Sequence, residues 1–301
     1  MFVIKFKLFD LVSKFSIKDI ERLSGIKAQT LRIWEQRYNI IKPERTDTNI
    51  RWYSNEDLKK ILNISLLNNH GVKISKICNL SGKQLTEEVS KLNDTELEDS
   101  EQVNGLIVAM IEIDETRFEK IISKGVLQLG FTQTVENIIH PFLRKIGIMW
   151  QVGAVNPAQE HFISNLIRQK LISAIDCIKT KTKKKSEKFL LFLPDGELHE
   201  ISLLFYSYLV KSTGNTSIYL GQSVPLDDII TIIKTRKPDY LVSVFTYNNK
   251  NLEIEKYIQH IASMFRKVNF LVSGFQLMES SIKTEKNISV FKTPTEFKKF
   301  L

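Results

Sequence analysis

Five short apolar runs in the last third of the chain constrain its fold more than any other feature. The runs are KFLLFL (188–193), SIYLG (217–221), YLVSVF (240–245), NFLVSG (269–274) and ISVF (288–291). Amphipathic helical patterns separate them, and strands that alternate with helices in this way build βαβ units around a buried parallel sheet. The sequence therefore predicts a five-stranded α/β domain of the Rossmann-like (flavodoxin-like) class over residues 187–301.

The rest of the chain is helical in pattern, which predicts a multidomain protein. Residues 15–82 are dense in helix-start signals, arginines and aromatic residues, whereas residues 103–180 show the apolar period of a four-helix-type bundle. The acidic stretch 83–102 predicts a linker or a helix with an exposed face, and residues 1–14 form an N-terminal extension. The lysine-rich stretch 179–188 predicts a solvated tether, with a phosphate-binding strip as the alternative.

The composition narrows the class of partner. Lys and Arg number 43 against 34 Asp and Glu, which gives a formal net charge of +9 over 301 residues. That surplus suits nucleic acid or a membrane surface, and a solvated lysine surface is the plainer alternative. Two distant cysteines exclude a disulfide framework, and no apolar run approaches the ~18 residues of a membrane helix. We therefore expect a cytoplasmic protein that does not bind a membrane.

The start of the first helical segment has the pattern of a helix-turn-helix. Ser16 and Asp19 form a capping-box-like helix start, and Gly25 supplies a tight turn. A second helix is predicted at residues 28–38. Two short helices joined by a glycine turn are typical of the DNA-binding helix-turn-helix.

The second of these helices divides into two faces. Leu31 and Trp34 are three residues apart and predict an apolar face, whereas Arg32 and Gln36 are four apart and predict a polar one. This division is typical of a recognition helix that enters the major groove of DNA.

A turn-rich stretch follows the recognition helix. Pro43 ends the helical pattern, and Arg45, Thr46, Asn49 and Arg51 then bring cations and hydrogen-bonding groups together. This pattern indicates a β-wing that contacts DNA phosphates.

The segment LRIWEQRYNIIKPERTDTNIRWYSNEDLKKI (31–61) resembles the DNA-binding domain of MerR-type transcription regulators, and the match runs from about Phe15 to Leu80. The resemblance implies a dimer on a pseudo-palindromic promoter. It places Thr30 and Arg32 in the groove and Arg37 and Tyr38 near the DNA backbone. It also places Arg45 and Arg51 on the wing. The candidate DNA contacts are Thr30, Arg32, Gln36, Arg37, Tyr38, Arg45, Asn49, Arg51 and Tyr53.

The end of the first predicted strand carries a carboxylate and an imidazole, Glu197 and His199. Ligands of open α/β sheets bind at the carboxyl ends of the strands, and an imidazole oriented by a carboxylate is a common metal ligand. A surface or capping histidine is the plainer alternative.

The arrangement resembles cobalamin-binding domains, whose pattern is Asp/Glu-x-His-x-x-Gly, then Ser-x-Leu/Thr, then Gly-Gly. Ser243 and Gly274 stand at the family's spacing after Glu197 and His199. The resemblance implies a cobalamin cofactor, adenosylcobalamin among the candidates, with His199 as the ligand to cobalt from below.

Three positions depart from that pattern, namely Ser202, Phe245 and Ser273. Two of them replace glycines that let the nucleotide tail of the cofactor pass close to the backbone, so a side chain there leaves less room. Whether cobalamin is still bound is therefore left open at this point.

A second resemblance lies in the bundle. Trp150 is followed, after nine residues, by Glu160 and His161, as in the cobalamin-dependent MerR-type photoreceptors. It implies that these residues lie above the upper face of the corrin ring. The light-sensing members have a histidine directly after the tryptophan, whereas this chain has Gln151, so light as the signal is also left open.

These patterns lead to three hypotheses. The first is a DNA-binding regulator whose corrinoid-sensing domains control oligomerisation and DNA affinity. Its partners would be promoter DNA, a homodimer or higher homo-oligomer, and RNA polymerase or an anti-repressor. The second is the same regulator with a degenerate sensor used for protein interaction. The third is a corrinoid-dependent methyl carrier or enzyme, but the sequence has no catalytic motif, and no catalytic residue is predicted.

Overall fold

The protein is described by a computed structural model with two compact units, residues 1–166 and 167–301. The structure describes residues 15–45, 49–69, 71–90, 99–151, 155–179, 185–246, 253–278 and 286–301. The predicted N-terminal extension 1–14, Thr46 of the predicted wing and residues 180–184 of the predicted tether lie outside the described residues.

The first unit begins with the predicted helix-turn-helix. Its elements are α1 (Ile17–Ser24), α2 (Ala28–Tyr38), β1 (Glu44–Arg45), β2 (Arg51–Trp52), α3 (Asn55–Asn69), α4 (Ile74–Ile77) and α5 (Gly82–Ser90). Ser16 caps α1 through the predicted capping box, because its Oγ accepts from the Asp19 amide at 3.3 Å and the Asp19 carboxylate accepts from the Ser16 amide at 2.9 Å. Gly25 has φ 77°, a left-handed conformation that favours glycine, and it makes the turn to α2. The antiparallel strands β1 and β2 form the wing.

The bundle completes the first unit. Its elements are α6 (Asp99–Glu112), α7 (Glu115–Leu129), α8 (Phe131–Thr134), a π-helical turn (Val135–Ile139), α9 (His140–Gln151) and α10 (Pro157–Asp176). Asn156 caps the N-terminus of α10, since its Oδ1 accepts from the Ala158 amide at 2.9 Å. The division between the two units falls inside α10.

The predicted linker 83–102 is helical at both described ends. Residues 83–90 belong to α5, whose described side chains are mostly exposed. The helix α6 already begins at Asp99. Residues 83–90 therefore match the second alternative, a helix with an exposed face, whereas Glu101 and Gln102 at the start of α6 are buried. Residues 91–98 lie outside the described residues.

A parallel sheet dominates the second unit, and all five predicted strands are confirmed. The strands are β3 (Lys188–Pro194), β4 (Thr216–Val224), β5 (Tyr240–Val244), β6 (Asn269–Ser273) and β7 (Ile288–Val290), in the order β4-β3-β5-β6-β7. The helices are α11 (Ile201–Ser212), α12 (Leu226–Arg236), α13 (Ile254–Met264), α14 (Phe275–Met278) and α15 (Pro294–Phe297). The strand order reverses between β3 and β5, and folds of this kind bind ligands at the carboxyl ends of the strands at such a point.

The central strands β3, β5 and β6 are buried on both faces, as their continuous apolar runs predict, whereas the edge strand β4 is mostly half-buried. Leu190, Phe192, Leu241 and Phe270 belong to one core cluster together with residues of α12 and α13. Among the described residues, no helix combines the length and the apolar character needed to cross a membrane.

Candidate functional sites

A cleft in the first unit joins the helix-turn-helix to the wing. Its volume is about 330 Å³, and its lining residues are Ser16, Ile17, Lys18, Arg32, Asn49, Ile50 and Arg51. The structure therefore brings three of the predicted DNA contacts together at one place, although they are up to 19 residues apart in the chain. Lys18 was not predicted, because a single lysine on a short helix carries no distinguishing sequence signal.

The recognition helix α2 presents its basic residues to solvent. Arg32, Gln36 and Arg37 are exposed and Leu31 is buried, as their spacing predicts, whereas Trp34 of the predicted apolar face is only half-buried. The Arg37 guanidinium lies over the Tyr38 ring at 5.4 Å from its centroid, so the two side chains form one cation–π pair. Thr30 is half-buried on the same helix.

The wing is ordered by its own side chains. Arg45 Nη1 donates to Oδ1 of Asn49 at 2.6 Å, and both residues are exposed. Asn49 has φ 62°, a left-handed conformation that asparagine tolerates better than most residues. The two side chains are thereby held together at the surface of the wing.

A buried carboxylate ties the wing to α2. Glu35 accepts from Arg51 Nε at 3.2 Å and from the Tyr53 hydroxyl at 2.5 Å. Tyr53 is fully buried, and burial together with Glu35 raises the pKa of its hydroxyl above the ordinary range. Its predicted contact with DNA is therefore corrected to a packing role, because the side chain fixes the wing from inside. Arg51 lines the cleft but is also held by Glu35.

The predicted Glu197–His199 pair forms at the carboxyl end of β3. Oε1 of Glu197 lies 2.6 Å from Nδ1 of His199, and the carboxylate also accepts from the amides of His199 (3.0 Å) and Thr246 (2.9 Å). The Glu197 side chain is only 5% exposed and that of His199 is 58% exposed. A buried carboxylate thus orients an accessible imidazole at the point where the strand order reverses.

The loop that carries this pair is fastened to the end of β4. Gln222 Nε2 donates to the Leu198 carbonyl at 2.8 Å, and the Ser223 amide donates to the Glu197 carbonyl at 3.2 Å. The Ser223 hydroxyl accepts from the Gly196 amide at 3.0 Å. The position of His199 is therefore set by the sheet rather than by a mobile loop.

Ser243 and Gly274 show two further features expected of a ligand site. The Ser243 hydroxyl is fully buried and has no hydrogen-bond partner among the described residues. A buried hydroxyl without a partner costs about 1–3 kcal/mol, which a ligand could recover. Gly274 has φ 120°, and a Cβ there would lie 2.2 Å from the carbonyl oxygen of Phe245, so only glycine fits.

The three residues that depart from the cobalamin pattern have unstrained backbone conformations. Ser202 lies in the first turn of α11 and Ser273 ends β6, and neither has a positive φ. The Phe245 ring is buried in the core and packs edge-on to Tyr257 at 6.2 Å between centroids. The departures therefore add side-chain volume near the candidate site without straining the backbone.

A polar network beside His199 was missed by sequence reasoning. Glu200 forms an ion pair with Arg168, whose Nε lies 2.8 Å from Oε1, and its carboxylate accepts a hydrogen bond from the Tyr219 hydroxyl at 2.8 Å. Burial and the bond to Glu200 raise the pKa of Tyr219 above its ordinary range. The three residues come from α10, the loop before α11 and β4, so no local pattern could have joined them.

Glu160 and His161 pair with each other in the first turn of α10. Oε2 of Glu160 lies 2.8 Å from Nδ1 of His161, and its other oxygen accepts from the Ser164 hydroxyl at 2.5 Å. His161 is exposed, which suits a hydrogen-bonding role toward a ligand. Trp150 lies near the end of α9, but its side chain and that of Gln151 are outside the described set.

Comparison with known proteins matches two parts of the chain to known families. Residues 15–81 match the family described as MerR HTH family regulatory protein, and residues 102–173 match the family described as B12 binding domain. Over 239 residues the chain is 23% identical to the HTH-type transcriptional repressor CarH of Myxococcus xanthus, covering 75% of this chain and 77% of that protein. It is 26% identical over 234 residues to the HTH-type transcriptional repressor CarA of the same organism, covering 76% and 75%.

A solved structure supports the fold. The monomethylamine corrinoid protein of Methanosarcina barkeri superimposes with a TM-score of 0.52 at 12% identity, covering 64% of this chain and 92% of that chain. At this identity the likeness shows that the two proteins share a fold.

Proposed function

We propose that this chain is a MerR-type helix-turn-helix regulator with a B12-binding domain, and that it represses transcription in response to adenosylcobalamin. It binds promoter DNA as a homo-oligomer, and the cofactor changes its assembly and DNA affinity. The observation that carries the proposal is the Glu197–His199 pair, which presents an oriented imidazole where this fold binds ligands. Repression is inferred from the printed names of the two relatives.

The residues of the second unit fit the lower side of a corrinoid. With Nδ1 engaged by Glu197, His199 offers Nε2 to a metal, and the carboxylate fixes the tautomer. The buried Ser243 hydroxyl lacks a partner among the described residues, and so suits a hydrogen bond to the nucleotide tail. The exposed apolar side chains of Leu198 and Phe275 flank His199 and Gly274 in the chain and suit the rim of a macrocycle.

Bound adenosylcobalamin would supply a cobalt ion and a labile cobalt–carbon bond. His199 would hold the cobalt, and the resemblance suggests that Trp150, Glu160 and His161 would bind the adenosyl group. Both Myxococcus xanthus relatives are named transcriptional repressors, so we propose a regulator rather than an enzyme or methyl carrier. RNA polymerase or an anti-repressor is the further protein partner that we propose.

The test is the visible spectrum of the full-length protein purified with adenosylcobalamin in the dark. We expect the protein to retain corrin absorption bands, and His199→Ala to lose or shift them. His260→Ala is the matched control, since His260 is an exposed histidine on α13 of the same unit. Absence of corrin bands in the wild-type protein, or bands that His199→Ala leaves unchanged, would remove His199 as a ligand.

A degenerate sensor is the second candidate, and the side chains of Ser202 and Ser273 favour it. Both positions have backbone that glycine also adopts, so Ser202→Gly with Ser273→Gly should leave the fold intact. A wild-type protein that binds no corrinoid, together with a double variant that does, would support this candidate.

A further inference from the structure

A lysine of the bundle hydrogen-bonds to the helix-turn-helix. Nζ of Lys145, on α9, donates to the main-chain oxygen of Leu23 at 2.8 Å and to Oδ1 of Asn104 at 2.9 Å. Leu23 belongs to the last turn of α1, directly before the Gly25 turn into the recognition helix. Carbonyls in the last turn of a helix have no donor within it, and the helix dipole favours a cation there. Lys145 therefore caps α1 from the bundle.

A second polar contact connects the same two parts of the first unit. Lys59 on α3 pairs with Glu112 at the end of α6 at 3.0 Å, and Arg117 on α7 binds the other oxygen of Glu112 at 3.0 Å. The Ser65 hydroxyl on α3 donates to the Ser24 carbonyl at 3.1 Å, so α3 also holds the turn after α1. The helix-turn-helix is thus linked to the bundle by directional contacts.

Polar side chains are buried within the mostly apolar contact between α3 and α6. Asn63 on α3 and Gln102 and Asn104 on α6 are all buried, and α3 packs along α6. Most of the other buried residues of the two helices are apolar, so these amides specify one packing arrangement within an apolar contact.

Lys145 contributes less to stability than an apolar side chain would, because desolvating its ammonium group costs free energy. Its two partners are neutral oxygens, and burial lowers the pKa of its amine to about 8. An apolar side chain would avoid this desolvation, whereas a buried polar contact specifies one arrangement over others. The lysine thus fixes the position of α1 relative to α9.

Lys145 shares its helix with a residue of the candidate upper corrinoid face. α9 runs from His140 to Gln151, so Lys145 and Trp150 are five residues apart on one helix. We propose that α9 couples the corrinoid site to DNA binding, with Lys145 as the positioning residue that passes a shift of α9 to the turn before the recognition helix. The inference rests on the proposed corrinoid sensing, and it requires that the cofactor bind two positions of α9 unequally.

The experiment compares Lys145→Met with Lys83→Met in the full-length protein. Lys83 is an exposed lysine on α5 of the same unit, so the control loses the same charge. The DNA dissociation constant is measured with and without adenosylcobalamin, on a duplex that the wild-type protein selects from a random pool. For the wild type and Lys83→Met, we expect the two DNA dissociation constants, with and without adenosylcobalamin, to differ by about tenfold. For Lys145→Met, we expect them to agree within about twofold. The corrin spectrum should be unchanged in both variants.

A variant-free measurement covers the case in which Lys145→Met does not fold. Hydrogen exchange of the wild-type amides at residues 23–27 should change when adenosylcobalamin is added, and unchanged exchange would overturn the coupling. A Lys145→Met variant that binds corrinoid and keeps the wild-type ratio would overturn the role of Lys145 alone. A wild-type protein without corrin bands would instead overturn the proposed function, and this inference with it.

Discussion

Two buried carboxylates each aim a basic side chain at a candidate binding surface. Glu35 holds Arg51 and Tyr53 beside the DNA-facing cleft, and Glu197 holds His199 at the edge of the sheet. In each case the acid is nearly buried while the base is more exposed. Charge-assisted hydrogen bonds of this kind orient a side chain before a ligand arrives.

His140 makes the first unit sensitive to acid. It lies at the start of α9, where burial, aided by Arg144 and opposed by Glu136, lowers its pKa to about 4. The folded state therefore keeps the imidazole neutral, whereas the unfolded chain protonates it near pH 6.5. Above pH 6.5 the imidazole is neutral in both states and does not affect the free energy of unfolding. As the pH falls from 6.5 toward 4, we expect the free energy of unfolding to decrease by roughly 3 kcal/mol in all.

Urea unfolding of the wild type, His140→Gln and His260→Gln at pH 7, 5.5 and 4.5 checks this. His140→Gln should lose part of the fall in the free energy of unfolding, and His260→Gln, at an exposed position, should behave as the wild type. A fall of equal size in all three proteins would contradict the assignment to His140.

The recognition helix and the wing differ in what they are expected to contribute. Arg32 is exposed on α2 and should read bases, so Arg32→Ala should lower affinity for the selected duplex by about 1–3 kcal/mol.

Arg45 is exposed on the wing and should contact phosphates, so Arg45→Ala should weaken binding to every duplex. It should also reduce the slope of the logarithm of the binding constant against the logarithm of the salt concentration by about one.

Binding isotherms at several salt concentrations, on the selected and a scrambled duplex, separate the two elements. Arg236→Ala serves as the control, because Arg236 is an exposed arginine at the end of α12. Equal losses for Arg32→Ala on both duplexes would mean that Arg32 contacts the backbone rather than the bases.

At the scale of the whole molecule, cofactor binding should appear as stability. A ligand that binds only the folded state, at a concentration 100 times its dissociation constant, adds about 2.7 kcal/mol to the free energy of unfolding. We therefore expect adenosylcobalamin to raise the melting temperature of the wild-type protein in calorimetry and to raise that of His199→Ala much less. Equal shifts in both proteins would indicate binding that does not involve His199.

The net charge of +9 suggested an anionic partner, but much of this charge lies outside the segment that is predicted to bind DNA. The lysine-rich stretch 179–188 carries much of the surplus, and its pattern predicts a solvated tether, with a phosphate-binding strip as the alternative. The placement of Arg32, Lys18 and Arg51 around one cleft supports DNA binding, whereas the total charge does not locate it.

The sequence by itself determined the elements whose causes are local. Capping at Ser16 and Asn156, the Gly25 turn and the bounds of α2 follow from neighbouring residues, and the five apolar runs became five parallel strands. The Glu197–His199 pair could also be predicted, because two residues of spacing at a strand end leave the side chains close together.

Only the tertiary structure decided the contacts that join distant parts of the chain. Lys145 reaches Leu23 across 122 residues, and Glu200 meets Arg168 and Tyr219 from separate elements. It also buried Tyr53, which by sequence was a candidate DNA contact, since the bridge to Phe15 and the bond to Glu35 turn it inward. Periodicity and capping act over a few residues, whereas burial and long-range hydrogen bonds depend on how whole elements pack, which no local pattern records.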